Sequence, residues 1–481
     1  MKKIASTLSA VIVAASSFAA EQASTQPNII YILADDLGYG DLSCLGQKKF
    51  NTPNIDRLAA EGMLFLQHYS GSTVSAPSRS CLMTGLHTGH TPIRGNKGGE
   101  GTAEGQMPMP ESTVLLPKLL KQIGYTTGLF GKWGLGYPGS VSDPINSGFD
   151  SFYGFNCQSL AHRHYPDYLW NNNSKVMLNG NLYGKQTQYA PEIIHNQSLA
   201  FIEQNQHHPF FAFLAYTIPH AEILSPDNDL LKQYKGKFTE KPFISSKKDN
   251  YGPKMSKTGY SSQPEPYAHY AAMISLLDKQ VGEVMEKLKS LGIEKKTIIF
   301  FSSDNGPHRE AGANPVFFQS NGPFRGIKRD LYEGGIHLPL IAWAPGMINA
   351  GSKSNHICAM WDMLPTVCEL SGANVPNTYI SDGVSFVNEL TGKGSQKKHK
   401  FLYWEFHEKE GKLAVRYGKW KAVLNNATNV STANMELYDL NSDIHEDKNI
   451  AAQHPEIVDK IRKMMVQSHV PSTDFDISFK F

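Results

Sequence analysis

Cysteine is scarce in this chain: five among 481 residues, at positions 44, 81, 157, 358 and 368, and never spaced Cys-x-x-Cys. An odd, scattered set of this kind supplies neither a zinc site nor a disulfide framework. An excess of one charge is also missing, since 46 Lys and Arg face 44 Asp and Glu for a net charge of +2. That balance gives no reason to expect nucleic acid as a partner, and a polyanion would have to be held by a local basic pocket. There are no internal repeats, and beyond residue 20 no apolar run is long enough to cross a bilayer. Before it, Lys2 and Lys3 precede an apolar stretch over 4–13, and Ser17-Phe18-Ala19 offers a cleavage site after Ala19. This predicts a signal peptide over 1–19 and a periplasmic or secreted protein that is not held at a membrane. No cysteine lies near the cleavage site to carry a lipid.

What is present is a series of apolar, β-branched runs that end abruptly in polar residues. Residues 28–34 end in Asp35-Asp36, 125–130 in Gly131-Lys132, 209–216 in Pro219-His220, and 297–303 in Asp304-Asn305-Gly306. Continuous apolar runs read as buried strands of a parallel sheet, whose C-terminal edge is where such folds place ligands. Helices are expected between them, over 54–62, 112–122 (capped by Ser112), 191–204 and 267–291. Asp35, Asp36, Asp304 and Asn305 then converge on one cation. Oxygen-only ligands point to Ca²⁺ or Mg²⁺ rather than zinc, with calcium the better choice for a secreted protein.

Residues 75–85 read Ser-Ala-Pro-Ser-Arg-Ser-Cys-Leu-Met-Thr-Gly. Pro77 suits a first helical turn, so Ser75 falls at a helix N-terminus, where backbone N–H groups favour negative charge. Arg79 lies four residues on, on the same face, and can pair with an anion held there. The stretch reads as an oxyanion cradle with a nucleophile inside it.

This stretch resembles the maturation signature of the formylglycine-dependent sulfatases in its serine form. The resemblance implies oxidation of Ser75 to 3-oxoalanine (formylglycine) by a serine-type maturation enzyme, and hydrolysis of a sulfate ester. It extends downstream over nearly the whole mature chain. Lys132 matches a lysine that contacts formylglycine and sulfate, His220 the histidine that protonates the leaving group, and Lys328 a second sulfate-contacting lysine. Ser75 joins Asp35, Asp36, Asp304 and Asn305 at the metal. Two positions depart from the pattern. Gly134 stands where the family has histidine, and His337 where it usually has arginine, which implies a lost ion pair.

The implied fold is α/β and alkaline-phosphatase-like: a large mixed, mostly parallel sheet sandwiched by helices, with a small C-terminal α+β subdomain. The expected boundaries are 20–391 for the catalytic domain and 392–481 for the subdomain. A polar, lysine-rich stretch over 227–257 reads as an insertion or lid. An aromatic, histidine-rich loop over 152–170 suits sugar rings. Within it, His162 or His164 could replace the histidine lost at Gly134. His308, Arg309 and Glu310, just after the metal strand, are expected to touch the sugar. The resemblance points to a sulfated glycan of galactose or N-acetylgalactosamine type, with a 4-O-sulfate favoured. The alternatives are a phosphatase or phosphodiesterase of the same superfamily, and a non-catalytic binder of sulfated glycans.

Overall fold

A computed structural model describes residues 26–99, 104–245, 260–429, 433–476 and 479. The expected signal peptide lies outside them. So does the part of the expected lid beyond 245; its earlier part carries a short helix, Asp229–Lys232.

The strands of the main sheet are β1 (Asn28–Ala34), β2 (Met63–Tyr69), β3 (Thr126–Lys132), β4 (Ser151–Phe155), β5 (Tyr168–Asn171), β6 (Ser174–Met177), β7 (Phe210–Ala215), β8 (Thr297–Ser303), β9 (His337–Trp343), β10 (Ser352–Ser354) and β11 (Cys358–Ala359). They lie in the order β10-β2-β9-β8-β1-β7-β3-β4-β5-β6, with β11 also on β2. The centre, β8-β1-β7-β3-β4, is parallel; β9 runs antiparallel between β2 and β8, and β5 and β6 form an antiparallel edge.

Alternation along β1 shows how the layers form. Ile30, Ile32 and Ala34 face one core, while Ile29, Tyr31 and Leu33 face the other, as a pleated strand requires. Helices Pro53–Glu61, Ala190–Gln204 and Pro266–Ser290 cover the first face through residues such as Leu58, Ile194 and Tyr270. The Ser75–Thr84, Leu116–Gln122 and Met363–Ser371 helices cover the second through Leu82, Leu120 and Leu364.

A separate antiparallel sheet follows, β12 (Leu402–Phe406), β13 (Lys412–Tyr417), β14 (Trp420–Asn425) and β15 (Asn434–Asp439). One face, with Trp404, Ala414 and Val423, packs on Tyr69 and Trp361 of the main body. The other, with Leu413, Val415 and Leu437, packs on Ile461 and Met465 of the helix Pro455–Ser468.

Two local expectations fail. The helix expected from Ser112 starts at Leu116 instead, with no side-chain cap; Pro117 fits only the first turn of a helix and so fixes its start there. The loop expected over 152–170 is sheet at both its ends. Residues 152–155 lie in β4, parallel to β3 with Phe130 opposite Tyr153, and 168–170 lie in β5. Their aromatics are therefore consumed by the core, Phe152 and Phe155 being buried. All five cysteines are free thiols.

Candidate active site

The C-terminal ends of β1, β3, β7 and β8 deliver Asp35-Asp36, Lys132, His220 and Asp304-Asn305 to one side of the sheet, as parallel strands do. The loop after β2 brings Ser75 to the same place as the first residue of its helix, after the extended Val74. Gly85 closes that helix in the left-handed conformation (φ 70°), its N–H bonded to the carbonyl of Cys81. Ser78, one turn in, donates its hydroxyl to the carbonyl of Asp304, tying the helix to the end of β8.

Ser75 Oγ donates to Asp35 Oδ1 at 3.1 Å and accepts from Lys132 Nζ at 3.3 Å. The same ammonium pairs with Asp35 Oδ2. Arg79 is fully buried. It donates to the carbonyl of Lys132 (2.7 Å), to Asp304 Oδ2 (3.0 Å) and to Asp35 Oδ2 (3.4 Å), so one guanidinium clamps three of the strand ends. Asp36 sits in the left-handed region (φ 63°), a conformation an aspartate adopts at a cost. Its N–H donates to Asp304 Oδ1, and its carboxylate accepts from Asn305 Nδ2 (2.7 Å) and Lys328 Nζ (2.8 Å). Lys328 Nζ also donates to His220 Nε2 at 3.1 Å.

Burial and neighbouring charge together set the protonation states. Burial pushes the Asp304 carboxyl up, and Asp35 beside it adds to that, against Arg79 and Lys132. Burial pulls Lys132 down, opposed by Asp35. For Lys328 burial is outweighed by Asp36 and Glu310, which hold the ammonium charged. Burial, then Lys328 and Lys132, hold His220 well below the ordinary histidine range.

Three carboxylates (Asp35, Asp36, Asp304) thus meet three cationic side chains (Arg79, Lys132, Lys328). Single donor atoms of Asp35, Asp36 and His220 lie within 4.8 Å of one another. Oδ1 of Asn305 is buried with no hydrogen-bond partner among the described residues. The oxygens of Asp35, Asp36, Asp304 and Asn305 would suit a hard divalent cation, whose charge would leave the site positive enough for an anionic ester.

A cavity of about 380 Å³ opens over Ser75, lined among others by His162, His220, Glu310, Lys328 and Arg329. The ring of His162 stacks on that of His220 at 4.7 Å. His164 does not reach the cavity: it is fully buried, its Nε2 turned to the carbonyl of His220 at 3.2 Å. The reason is local, since a 3₁₀ turn, Leu160–His162, ends between the two and faces them apart. His308 is buried on the other side of His220, with ring centroids 5.5 Å apart, and does not line the cavity. Arg309 is exposed outside the cavity, and Arg329 takes the position expected of it, donating to Glu310 Oε1 at 2.8 Å. Burial pushes Glu310 up, but Lys328, His220, His308 and Arg329 outweigh it and hold its carboxyl far below the usual range.

The two departures from the sequence pattern have structural answers. Gly134 has φ 76°, and a β-carbon there would stand 2.2 Å from Gln158 Nε2. Gln158 therefore occupies the space beside Gly134; it lines the cavity, and its Nε2 has no partner among the described residues. Where an ion pair was expected to be lost, His337 Nδ1 lies 2.9 Å from Glu333 Oε2, and that glutamate takes its permanently charged partner from Lys421 at 2.8 Å. Gln158, Arg329 and Asn96, whose Oδ1 accepts from the N–H of Ala76, carried no signal in the sequence.

The fold is of the alkaline-phosphatase type, with Ser75 at a helix N-terminus facing a charged pocket. A sulfatase family model matches residues 27–373, and a model of the C-terminal region of N-sulphoglucosamine sulphohydrolase matches 325–470. The chain belongs to the formylglycine-dependent sulfatase family and is a sulfuric ester hydrolase. It is 30% identical over 442 residues to the N-acetylgalactosamine-6-sulfatase of Mus musculus, covering 87% of this chain and 76% of that one. It is 29% identical to the N-acetylgalactosamine-6-O-sulfatase of Bacteroides thetaiotaomicron, covering 92% and 93%. The crystal structure of Ps i-CgsB matches with a TM-score of 0.74 at 28% identity over 94% of each chain. That protein is also known in complex with k-i-k-neocarrahexaose. Among the described residues no helix is long and apolar enough to cross a membrane.

Proposed function

We propose that the protein hydrolyses sulfate esters on galactose- or N-acetylgalactosamine-type units of a sulfated polysaccharide, with residue 75 as the nucleophile after oxidation to formylglycine. The observation that carries this reading is the position of Ser75 Oγ, within hydrogen-bond reach of both Asp35 and Lys132 at the floor of the cavity. Unmodified, a serine hydroxyl is a weak nucleophile. Formylglycine, as its hydrate, supplies two hydroxyls on one carbon, so one can attack and the other can later expel the sulfate. A Ca²⁺ held by Asp35, Asp36, Asp304 and Asn305 would lower the pKa of a hydroxyl beside it.

The side chains divide the remaining work. Arg79 holds Asp35, Asp304 and the Lys132 carbonyl in register. Lys132 and Lys328 neutralise the sulfate oxygens as the S–O bond breaks. His220 delivers the proton to the departing sugar oxygen. Free of ligand it accepts at Nε2 from Lys328, so it must first be charged, and an anionic ester between the two lysines favours that state. His162, Glu310 and Arg329 stand at the rim to contact the sugar. Gln158 offers its free N–H where the family carries a histidine.

The family resemblance favours a 4-O-sulfate. The names of the relatives in mouse and Bacteroides thetaiotaomicron favour a 6-O-sulfate as the second reading. Two measurements test the proposal. Mass spectrometry of the peptide containing residue 75, from protein made in a host with a serine-type maturation enzyme, should show the loss of H₂. Release of sulfate from the 4- and 6-sulfates of galactose and N-acetylgalactosamine then distinguishes the esters. Intact serine, or release of phosphate but not sulfate, would sink the reading.

A further inference from the structure

A second cavity, of about 670 Å³, lies away from Ser75, where β12 and the β13–β14 turn face residues 355–357. It is of a size that holds sugar-sized ligands. Arg416, Lys398, Lys400 and Lys419 line it, against the single acid Glu389, which is engaged by the hydroxyl of Ser354 at 2.6 Å. Lys419 is paired with Asp439, whereas Lys398 and Lys400 are exposed and make no ion pair with any described residue. Arg416 is 7% exposed, yet its Nε and Nη1 are buried with no hydrogen-bond partner among the described residues. Nε2 of His356, in the same wall, is orphaned in the same way. Buried N–H groups without partners are costly unless a ligand satisfies them. Guanidinium N–H groups are strong donors to an oxyanion, and half-buried Trp420 offers an apolar face beside them.

We propose that this cavity is a non-catalytic binding site for an anionic sugar unit of a sulfated polysaccharide, with Arg416 taking the sulfate and Lys398 and Lys400 flanking it. Its placement suits a polymer. Lys412, on the same strand as Arg416, donates to the carbonyl of Arg329 at the rim of the Ser75 cavity. Arg416 lies four steps along the strand from Lys412, about 13 Å. A chain of several sugar units can therefore be held at this cavity while another of its units sits over Ser75. The identity of the sugar rests on the substrate reading above, so binding is measured apart from turnover.

Calorimetric titration of the full chain with a sulfated galactan hexasaccharide should show two binding events, and with its desulfated counterpart none at this cavity. The double substitution Lys398→Glu and Lys400→Glu, at exposed positions, should remove one event. It should slow sulfate release from the polymer by about fivefold and leave turnover of a monosaccharide sulfate within about twofold. Arg416→Gln should act alike; should that variant not fold, the lysine pair alone decides. Two events persisting in the lysine variant, equal binding of the desulfated sugar, or an unchanged polymer rate would overturn the proposal. Two events with no turnover of any sulfated sugar would support the site while overturning the substrate reading.

Discussion

Nε2 of His220 lies 3.1 Å from Nζ of Lys328, and the two share one oxygen of Asp36, at 3.3 and 2.8 Å. The lysine ammonium thus adds to burial in suppressing the histidine's charge. Lys328→Met should lift the His220 titration toward the ordinary histidine range, read by NMR of the imidazole. It should also lower kcat/KM by about 10²–10³-fold through loss of a sulfate contact. A histidine signal that does not move would show that burial alone sets it.

Arg79 is irreplaceable for a different reason. Arg79→Ala leaves two buried carboxylates facing each other without their shared cation, at 0% and 1% side-chain exposure. Breaking a buried pair from one side costs about 3–5 kcal/mol. Denaturant unfolding should show a loss of that order, and activity should vanish with it.

The oxygen cluster should respond to calcium. At a concentration about a hundred times its Kd, Ca²⁺ should stabilise the folded chain by about 2.7 kcal/mol, and Asp35→Asn should abolish most of that gain. Thermal unfolding with calcium and with a chelator checks it. An equal response in the Asp35→Asn protein would place the ion elsewhere.

The first half of that cluster could be read directly from the chain. β1 and β8 are continuous apolar runs because both their faces are buried, and the switch to Asp35 and Asp304 marks the sheet edge. Ser75 and Arg79 stand out through the resemblance of 75–85 to the sulfatase maturation signature, since their spacing alone equally fits a capped helix with one surface arginine. Arg329, Gln158 and Asn96 could not be found that way. Their positions depend on long-range contacts, such as the N–H of Arg329 bonded to Thr73 or that of Gln158 bonded to Gln106, which leave no periodic trace. The division between His162 and His164 hinges on a single short turn, and the aromatics of 152–170 look alike whether they meet a sugar or a core.

Gly134 should accept a side chain only at a cost. Its φ of 76° makes Gly134→Ala cost about 1–2 kcal/mol from the backbone alone, and the flexible end of Gln158 must also move aside. Restoring histidine there should therefore fail to raise activity. Gln158→Ala, by contrast, should leave the unfolding midpoint near wild type and lower kcat/KM by about tenfold, the loss of one hydrogen bond to a charged group. Unchanged kinetics would remove Gln158 from the site.

Away from the site, Asp41 should shape the pH dependence of stability. Burial pushes its carboxyl up to about 6, despite hydrogen bonds from Tyr270 and Gly38 that work the other way. Above its ordinary value of 3.8 and up to about 6 the folded state binds more protons than the unfolded one. Its contribution therefore falls as pH rises through that window, by about 3 kcal/mol, and stays low above it. Asp41→Asn should flatten this part of the profile in unfolding measured from pH 4 to 7.

Trp404 of the small sheet donates its indole N–H to the carbonyl of Ser70, five residues ahead of the nucleophile position, and rests on Tyr69 and Trp361. The last sixth of the polypeptide, from β12 onward, is consequently a foundation stone for the turn between β2 and the Ser75 helix. A shortened chain that stops before β12 would lose the wall against which Ser75 is set.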